Sequence, residues 1–167
     1  MSGYLALAIS VGLLAVLDTW IYVGPLATTA LAGLVWVSFI AWGCHFHSGA
    51  GVKGATTAVV GMSFGAVVGM VAVILAGGVL APAGVMAAPI AVGLGAFVIC
   101  LASKIPPLAT IPASVYGFAS VAGPILLAGK TPQEAIVPVI LSVVIGAVFG
   151  YVSEILANAL TKKTPAA

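Results

Sequence analysis

Residues 106 to 117 read PPLATIPASVYG, in a chain whose hydropathy is that of a membrane protein from end to end. Each proline removes a backbone donor and disfavours helix in the residue before it. Prolines at 106, 107 and 112 must therefore mark a boundary or a break in a membrane segment. The tetrapeptide Pro107-Leu-Ala-Thr110 has an earlier copy, Pro25-Leu-Ala-Thr28 within GPLATT (residues 24 to 29), 82 residues upstream. In so biased a composition about one such pair is expected by chance. A second match lies in nearly the same register. Gly65-Ala-Val-Val-Gly69 pairs with Gly146-Ala-Val-Phe-Gly150 at an offset of 81, extended backwards by Gly61 against Ser142. Together they predict an internal duplication, with units over 1–80 and 81–167, the second ending in a short cytoplasmic tail.

Composition sets the class. The chain is 63% hydrophobic and 5% charged, with mean hydropathy +1.33. That leaves too few charges to solvate a globular surface, while its apolar runs exceed the roughly 20 residues needed to cross a bilayer. The expected class is all-α integral membrane, with the lipid bilayer as its surroundings. A net charge of +2 on dispersed lysines excludes a nucleic-acid surface. Breaks rich in Gly, Pro, Lys and His divide the chain into six apolar segments, about 4–22, 26–44, 53–77, 83–103, 107–128 and 132–160. Each is long enough to cross. The first lacks a basic leader and a small-residue cleavage site, and reads as a retained helix rather than a signal peptide. Cys44 and Cys100 fall in apolar surroundings and read as small buried side chains.

Three crossings per unit is an odd number, so the second copy enters from the opposite side, giving two inverted three-helix repeats of the kind used by transporters and channels. Pro25 and Pro107 then mark the starts of segments two and five, where first-turn N–H groups lack partners in any case. Pro112 predicts a discontinuous fifth helix, because irregular backbone survives in a membrane only against protein or a wet cavity. It is either a gap lining a solute path or a packing kink. On the first alternative the path is lined by Thr28, Thr29, Thr110, Ile111, Pro112, Ser114 and Tyr116. Gly61, Gly65 and Gly69, with Ser142, Gly146 and Gly150, recur every four residues. They predict two smooth stripes for helix packing, against each other or with one facing a neighbouring subunit in a homo-oligomer, the alternative being a pore-lining role.

Charge bears on mechanism mostly by its scarcity. Asp18 is expected near the outer end of segment one, Glu134 at the start of segment six and Glu154 toward its end, none at the bilayer midplane. Trp20, Tyr22 and Trp42 are expected as interface anchors. His45 and His47, two residues apart, face different sides of a helix, and the chain has no third histidine. They read as inner-interface side chains, not metal ligands. No nucleophile triad, paired carboxylates or phosphate-binding glycine loop is present, so no enzyme, metal or cofactor is expected.

The length, the six apolar segments and the turn GAGVKGA opening segment three resemble the small bacterial inner-membrane proteins of the YcdZ type, a family of unknown function. The resemblance implies a bacterial inner-membrane location and supplies no activity. The stretch PPLATIP is similar to the Leu-Pro and Thr-Ala-Pro stretches at helix starts in urea-transporter channels. The expected function is a channel or facilitator for a small neutral or weakly charged solute such as urea, a short amide, an alcohol or a weak acid. The alternatives are an ion-coupled secondary transporter using Asp18 or Glu154, and a membrane scaffold or accessory subunit.

With six crossings Lys53, Lys104, Lys162 and Lys163 share one side and Lys130 lies on the other, so both termini are expected in the cytoplasm. Reporter fusions at either terminus should be active only as cytoplasmic reporters. An externally active C-terminal fusion would overturn this topology.

Overall fold

The computed structural model describes residues 1–161, so Lys162 and Lys163 lie outside the described residues. Its helices are α1 (Gly3–Val23), α2 (Val35–His47), α3 (Gly51–Gly77), α4 (Ala87–Ala102), α5 (Ile111–Ala128) and α6 (Pro132–Leu160). Short 3-10 turns at Ala81–Met86 and Pro106–Leu108 lead into α4 and α5. The caps explain several starts. Ser2 accepts from Leu5 N at the head of α1, and at α6 Thr131 and Glu134 form a reciprocal capping box ahead of Pro132. Five stretches are long and apolar enough to cross a bilayer: α1, α3, the run Ala81–Ala102, α5 and α6. The chain is a multi-pass, all-helical protein of membrane type.

The second segment departs from expectation. A helix over 26–44 was the expectation, but residues 24–34 form a run of turns and α2 begins only at Val35. Its 13 residues rise about 20 Å, short of the roughly 30 Å hydrocarbon core. Local hydrogen bonds explain the turns. Ala27, Thr29, Ala32 and Leu34 each donate to the carbonyl three residues back. Thr29 Oγ1 donates to Leu26 O at 2.8 Å and accepts from Leu31 N at 3.2 Å. Each backbone group bonded locally in this way is lost to a helix. Pro25 therefore does not start α2, which begins ten residues later.

The fifth segment also differs. Pro106 and Pro107 sit in the 3-10 turn, and α5 starts at Ile111 with Pro112 in its first turn. Pro112 is thus a start signal, placed where a missing N–H costs nothing. From it α5 runs as one helix to Ala128, with Pro124 inside. The break expected at Pro112 is not there.

Small residues set the packing. A methyl group on Gly61 would come within 2.7 Å of Ala113 Cβ, and one on Gly69 within 2.7 Å of Val121 Cγ1, while Gly65 is pressed against the Ser114 carbonyl. On the other helix, Gly146 is pressed against the Ser38 carbonyl, and a methyl on Gly150 would come within 2.8 Å of the His45 ring. The α3 stripe therefore seats α5 and the α6 stripe seats α2. Both are covered within one chain, which removes the reason for giving either stripe to a neighbouring subunit. The pair α3 and α6 forms the centre, with α1 lying on α6 and α4 on α3. Large side chains such as Leu13, Val85 and Leu127 point outward, as lipid-facing residues do.

Two contacts fix the ends. Lys130 Nζ donates to Ala30 O at 3.3 Å, joining the 24–34 and 129–131 connections at one end. At the other, Gly3 lies beside Thr161 and Gly51 N donates to Glu154 Oε2 at 2.7 Å. The start of α1, the end of α6 and Lys53 accordingly share one end of the bundle.

Gly65→Leu and Gly146→Leu must each force two backbones apart. Each should lower stability by about 3 kcal/mol or more, seen as loss of folded protein in detergent unfolding titrations. Gly12→Leu and Gly93→Leu, where nothing lies within 4 Å of an added Cβ, should leave it unchanged.

Candidate functional site

Along its inward face α1 carries Ala6, Ser10, Asp18 and Tyr22, all buried and spaced in multiples of four. That spacing keeps them on one helical stripe, and the stripe lies against α6, itself lined by Ser142, Gly146, Gly150 and Ser153. α2 closes the third side with Ser38, Trp42 and His45. The three helices enclose a column of polar side chains in an otherwise apolar bundle.

In the lower part the column is hydrogen-bonded around Ser153, while both ring nitrogens of His45 have no hydrogen-bond partner among the described residues. Ser10 Oγ donates to Ser153 O at 2.6 Å. Trp42 Nε1 donates to Ser153 Oγ at 3.1 Å, and Ser153 Oγ donates to Gly150 O at 2.7 Å. Trp42 is therefore a buried hydrogen-bond donor, not an interface anchor. One step further toward the end, His45 Nε2 lies 3.5 Å from Glu154 Oε2, the oxygen that also accepts from Gly51 N. His45 is fully buried while Glu154 is about one-third exposed, at 32%. The histidine expected at the interface is thus inside, and the carboxylate connects it to the end of the bundle.

The upper part is not paired. Asp18 is 0% exposed. Ser38 adjoins its carboxyl, and Tyr22 adjoins Ser38, Ser142 and Asp18. Yet Asp18 Oδ1 and Oδ2, Tyr22 Oη, Ser38 Oγ and Ser142 Oγ have no hydrogen-bond partner among the described residues. Tyr22 is 2% exposed, so it too is an interior group rather than an anchor. Ser142, expected only as part of a packing stripe, contributes a hydroxyl here.

The depth of this cluster corrects the expectation for Asp18. Ser38 abuts Gly146, the middle residue of α6, and Ser142 is one turn away. Asp18 lies level with the middle of the longest helix, although it stands five residues before the end of α1. The reason is that the 24–34 turns and the first turns of α6 continue beyond the end of α1. An ionisable group at that depth, without a charged partner, is costly and marks a functional site by default. The stripe Ser10, Asp18, Tyr22 was the available signal in the sequence, and counting Asp18 from the end of its own helix concealed it.

The residues expected to line a path are not gathered together. Thr28 and Thr29 are exposed in the turns at one end, where Thr29 borders a cavity of 580 Å³ with Lys130, Gln133 and Glu134. Thr110, half-buried, and Ile111 and Pro112, both exposed, lie at the opposite end. Ser114 is buried against Gly65. Tyr116 is half-buried, its ring edge-on to His47 with centroids 6.2 Å apart. Cys44 is buried and Cys100 exposed, both as free thiols, so only the first matches expectation. No three His, Cys, Asp or Glu side chains converge among the described residues.

No curated protein and no solved structure matches the chain. A family model does match residues 8–158, which takes in the whole polar column from Ser10 to Glu154. The chain belongs to the family described as Protein of unknown function (DUF1097).

Proposed function

We propose that the chain is an ion-coupled transporter of a small neutral or weakly charged solute, with Asp18 as the coupling carboxyl and two inverted three-helix repeats as its frame. The observation that carries this reading is the fully buried Asp18 carboxyl, level with the middle of α6, without a hydrogen-bond partner among the described residues. A bare carboxylate at that depth costs several kcal/mol, a cost that a bound ion relieves. Repeat-built transporters place their coupling ions near the midplane, at the repeat interface. The polar column that descends from Asp18 to the partly exposed Glu154 supplies the connection such an ion needs.

Packing supports the repeats. α3 seats α5 as α6 seats α2, and α1 lies on α6 as α4 lies on α3. Gly65 meets Ser114 where Gly146 meets Ser38, and Gly69 meets Val121 where Gly150 meets His45. The offset is 81 for the central helices but 76 for their partners. The Pro-Leu-Ala-Thr match at 82 is then out of register, a coincidence of composition. We place the protein in a bacterial inner membrane with both ends cytoplasmic, and hold it to be no enzyme.

The facilitator reading asks for a passive path, and the hydroxyls assigned to that path are dispersed, with Thr28 and Thr29 in the 24–34 turns, Thr110 ahead of α5 and Ser114 buried against Gly65 midway along α3. The scaffold reading asks for a free docking stripe, and both stripes are covered within the chain. In proteoliposomes, radiolabelled urea, acetamide or acetate should accumulate above equilibrium under an inward sodium or proton gradient. Asp18→Asn should abolish accumulation while leaving helical content and elution volume unchanged. Downhill flux that ignores both gradients and survives Asp18→Asn would favour the passive facilitator instead.

A further inference from the structure

We propose that Asp18, Tyr22, Ser38 and Ser142 form a binding site for a sodium ion. The proposal rests on the reading of Asp18 as the coupling group and names the ion. Five oxygen atoms of these four side chains are buried and without a well-formed hydrogen bond among the described residues, Asp18 Oδ1 and Oδ2, Tyr22 Oη, Ser38 Oγ and Ser142 Oγ, with Ser38 beside Asp18 and Tyr22 beside Ser38, Ser142 and Asp18. Leaving one such atom unpaired costs about 1–3 kcal/mol. Five together ask for an occupant that engages all of them.

The donor set selects its chemistry. Every ligand atom is oxygen, and no sulfur or imidazole takes part, so the fit is to a hard cation and not to zinc or copper. The cluster holds one carboxylate and three neutral hydroxyls. A monovalent cation cancels that single charge, whereas a divalent ion would leave a net positive charge in the hydrocarbon interior. The geometry points the same way. Tyr22 stands at the centre of the cluster, beside the hydroxyls of Ser38 and Ser142 and the carboxyl of Asp18. A proton on Asp18 would sit on one carboxyl oxygen, whereas a cation can draw on both. The oxygens instead can replace most of the hydration shell of a sodium-sized ion, as protein oxygens do in selective ion sites.

Packing contacts hold the elements that carry these oxygens. Ser38 is held by the contact of its own carbonyl with Gly146, and Ser142 stands one turn from that contact. Asp18 and Tyr22, four apart, share one stripe of α1. The coupling site is thus built on the packing that closes the first half of the chain onto α6.

The test uses the purified full chain in detergent. A ligand that binds only the folded state raises its melting temperature. Replacing choline chloride by sodium chloride at constant ionic strength should raise Tm saturably, with retention of ²²Na⁺ by the protein. Asp18→Asn should abolish both effects. Ser142→Ala and Tyr22→Phe each remove one oxygen while keeping the packing. Because changes outside the ligand set already weaken metal sites by about tenfold, each should weaken sodium binding at least that much, which keeps the test decisive if Asp18→Asn fails to fold. Equal Tm in the two salts, with no ²²Na⁺ retained by the wild type, would overturn the sodium site. If uptake is driven by a proton gradient, depends on Asp18 and ignores sodium, the sodium site falls and the transport reading stands. Sodium binding that depends on Asp18 but accompanies no gradient-driven uptake supports the site and overturns the transport reading.

Discussion

Close backbone approach at glycine is the constraint on which this bundle depends. Lipid tails are as apolar as leucine side chains, so helices in a membrane gain nothing by hiding from solvent and associate through tight packing instead. Gly65 against Ser114 and Gly146 against Ser38 bring backbones together where no side chain fits. The second contact has a chemical result. With its carbonyl held against the middle of α6, Ser38 has its hydroxyl beside Asp18 and Tyr22. The stripe that holds α2 in place therefore also builds the polar cluster.

The same constraint accounts for the uneven second segment. Irregular backbone at membrane depth must satisfy its own polar groups. Residues 24–34 do so through consecutive three-residue-back hydrogen bonds and the Thr29 hydroxyl. Lys130 ties this stretch to the start of α6, and Tyr22, Leu26 and Leu31 join the apolar cluster that includes Ala135 and Val139. The turns cap the α1/α6 contact at the Lys130 end of the bundle. Because they extend past the end of α1, Asp18 lies deep and not near the surface.

The chain carries three carboxyl groups, and they are used in three ways. Glu134 closes the capping box of α6 at one end of the bundle. Glu154, near the other end, accepts from Gly51 N and faces His45, holding the turn between α2 and α3 against α6. Asp18 has neither a backbone donor nor a cation beside it among the described residues, only hydroxyls. Two carboxyls stabilise helix ends. The third stands where structure alone gives no reason to keep it.

Composition and spacing by themselves determined the class of the protein, the existence of long apolar helices and the packing role of the two glycine stripes. These follow from hydropathy and from the four-residue period of small side chains, which are local properties of the chain. The start of α6 was legible for the same reason, since a proline behind a threonine is a local signal. What only the tertiary structure decided is which helix each stripe receives, where α2 begins, and how deep Asp18 lies. The 24–34 segment is apolar enough to read as helix, but a threonine hydroxyl and a run of turns compete successfully there. Asp18 stands near the end of its own helix and at the middle of its neighbour. Depth in a bundle is a property of the register between helices, and register is set by packing contacts more than a hundred residues apart in sequence, such as Ser38 with Gly146.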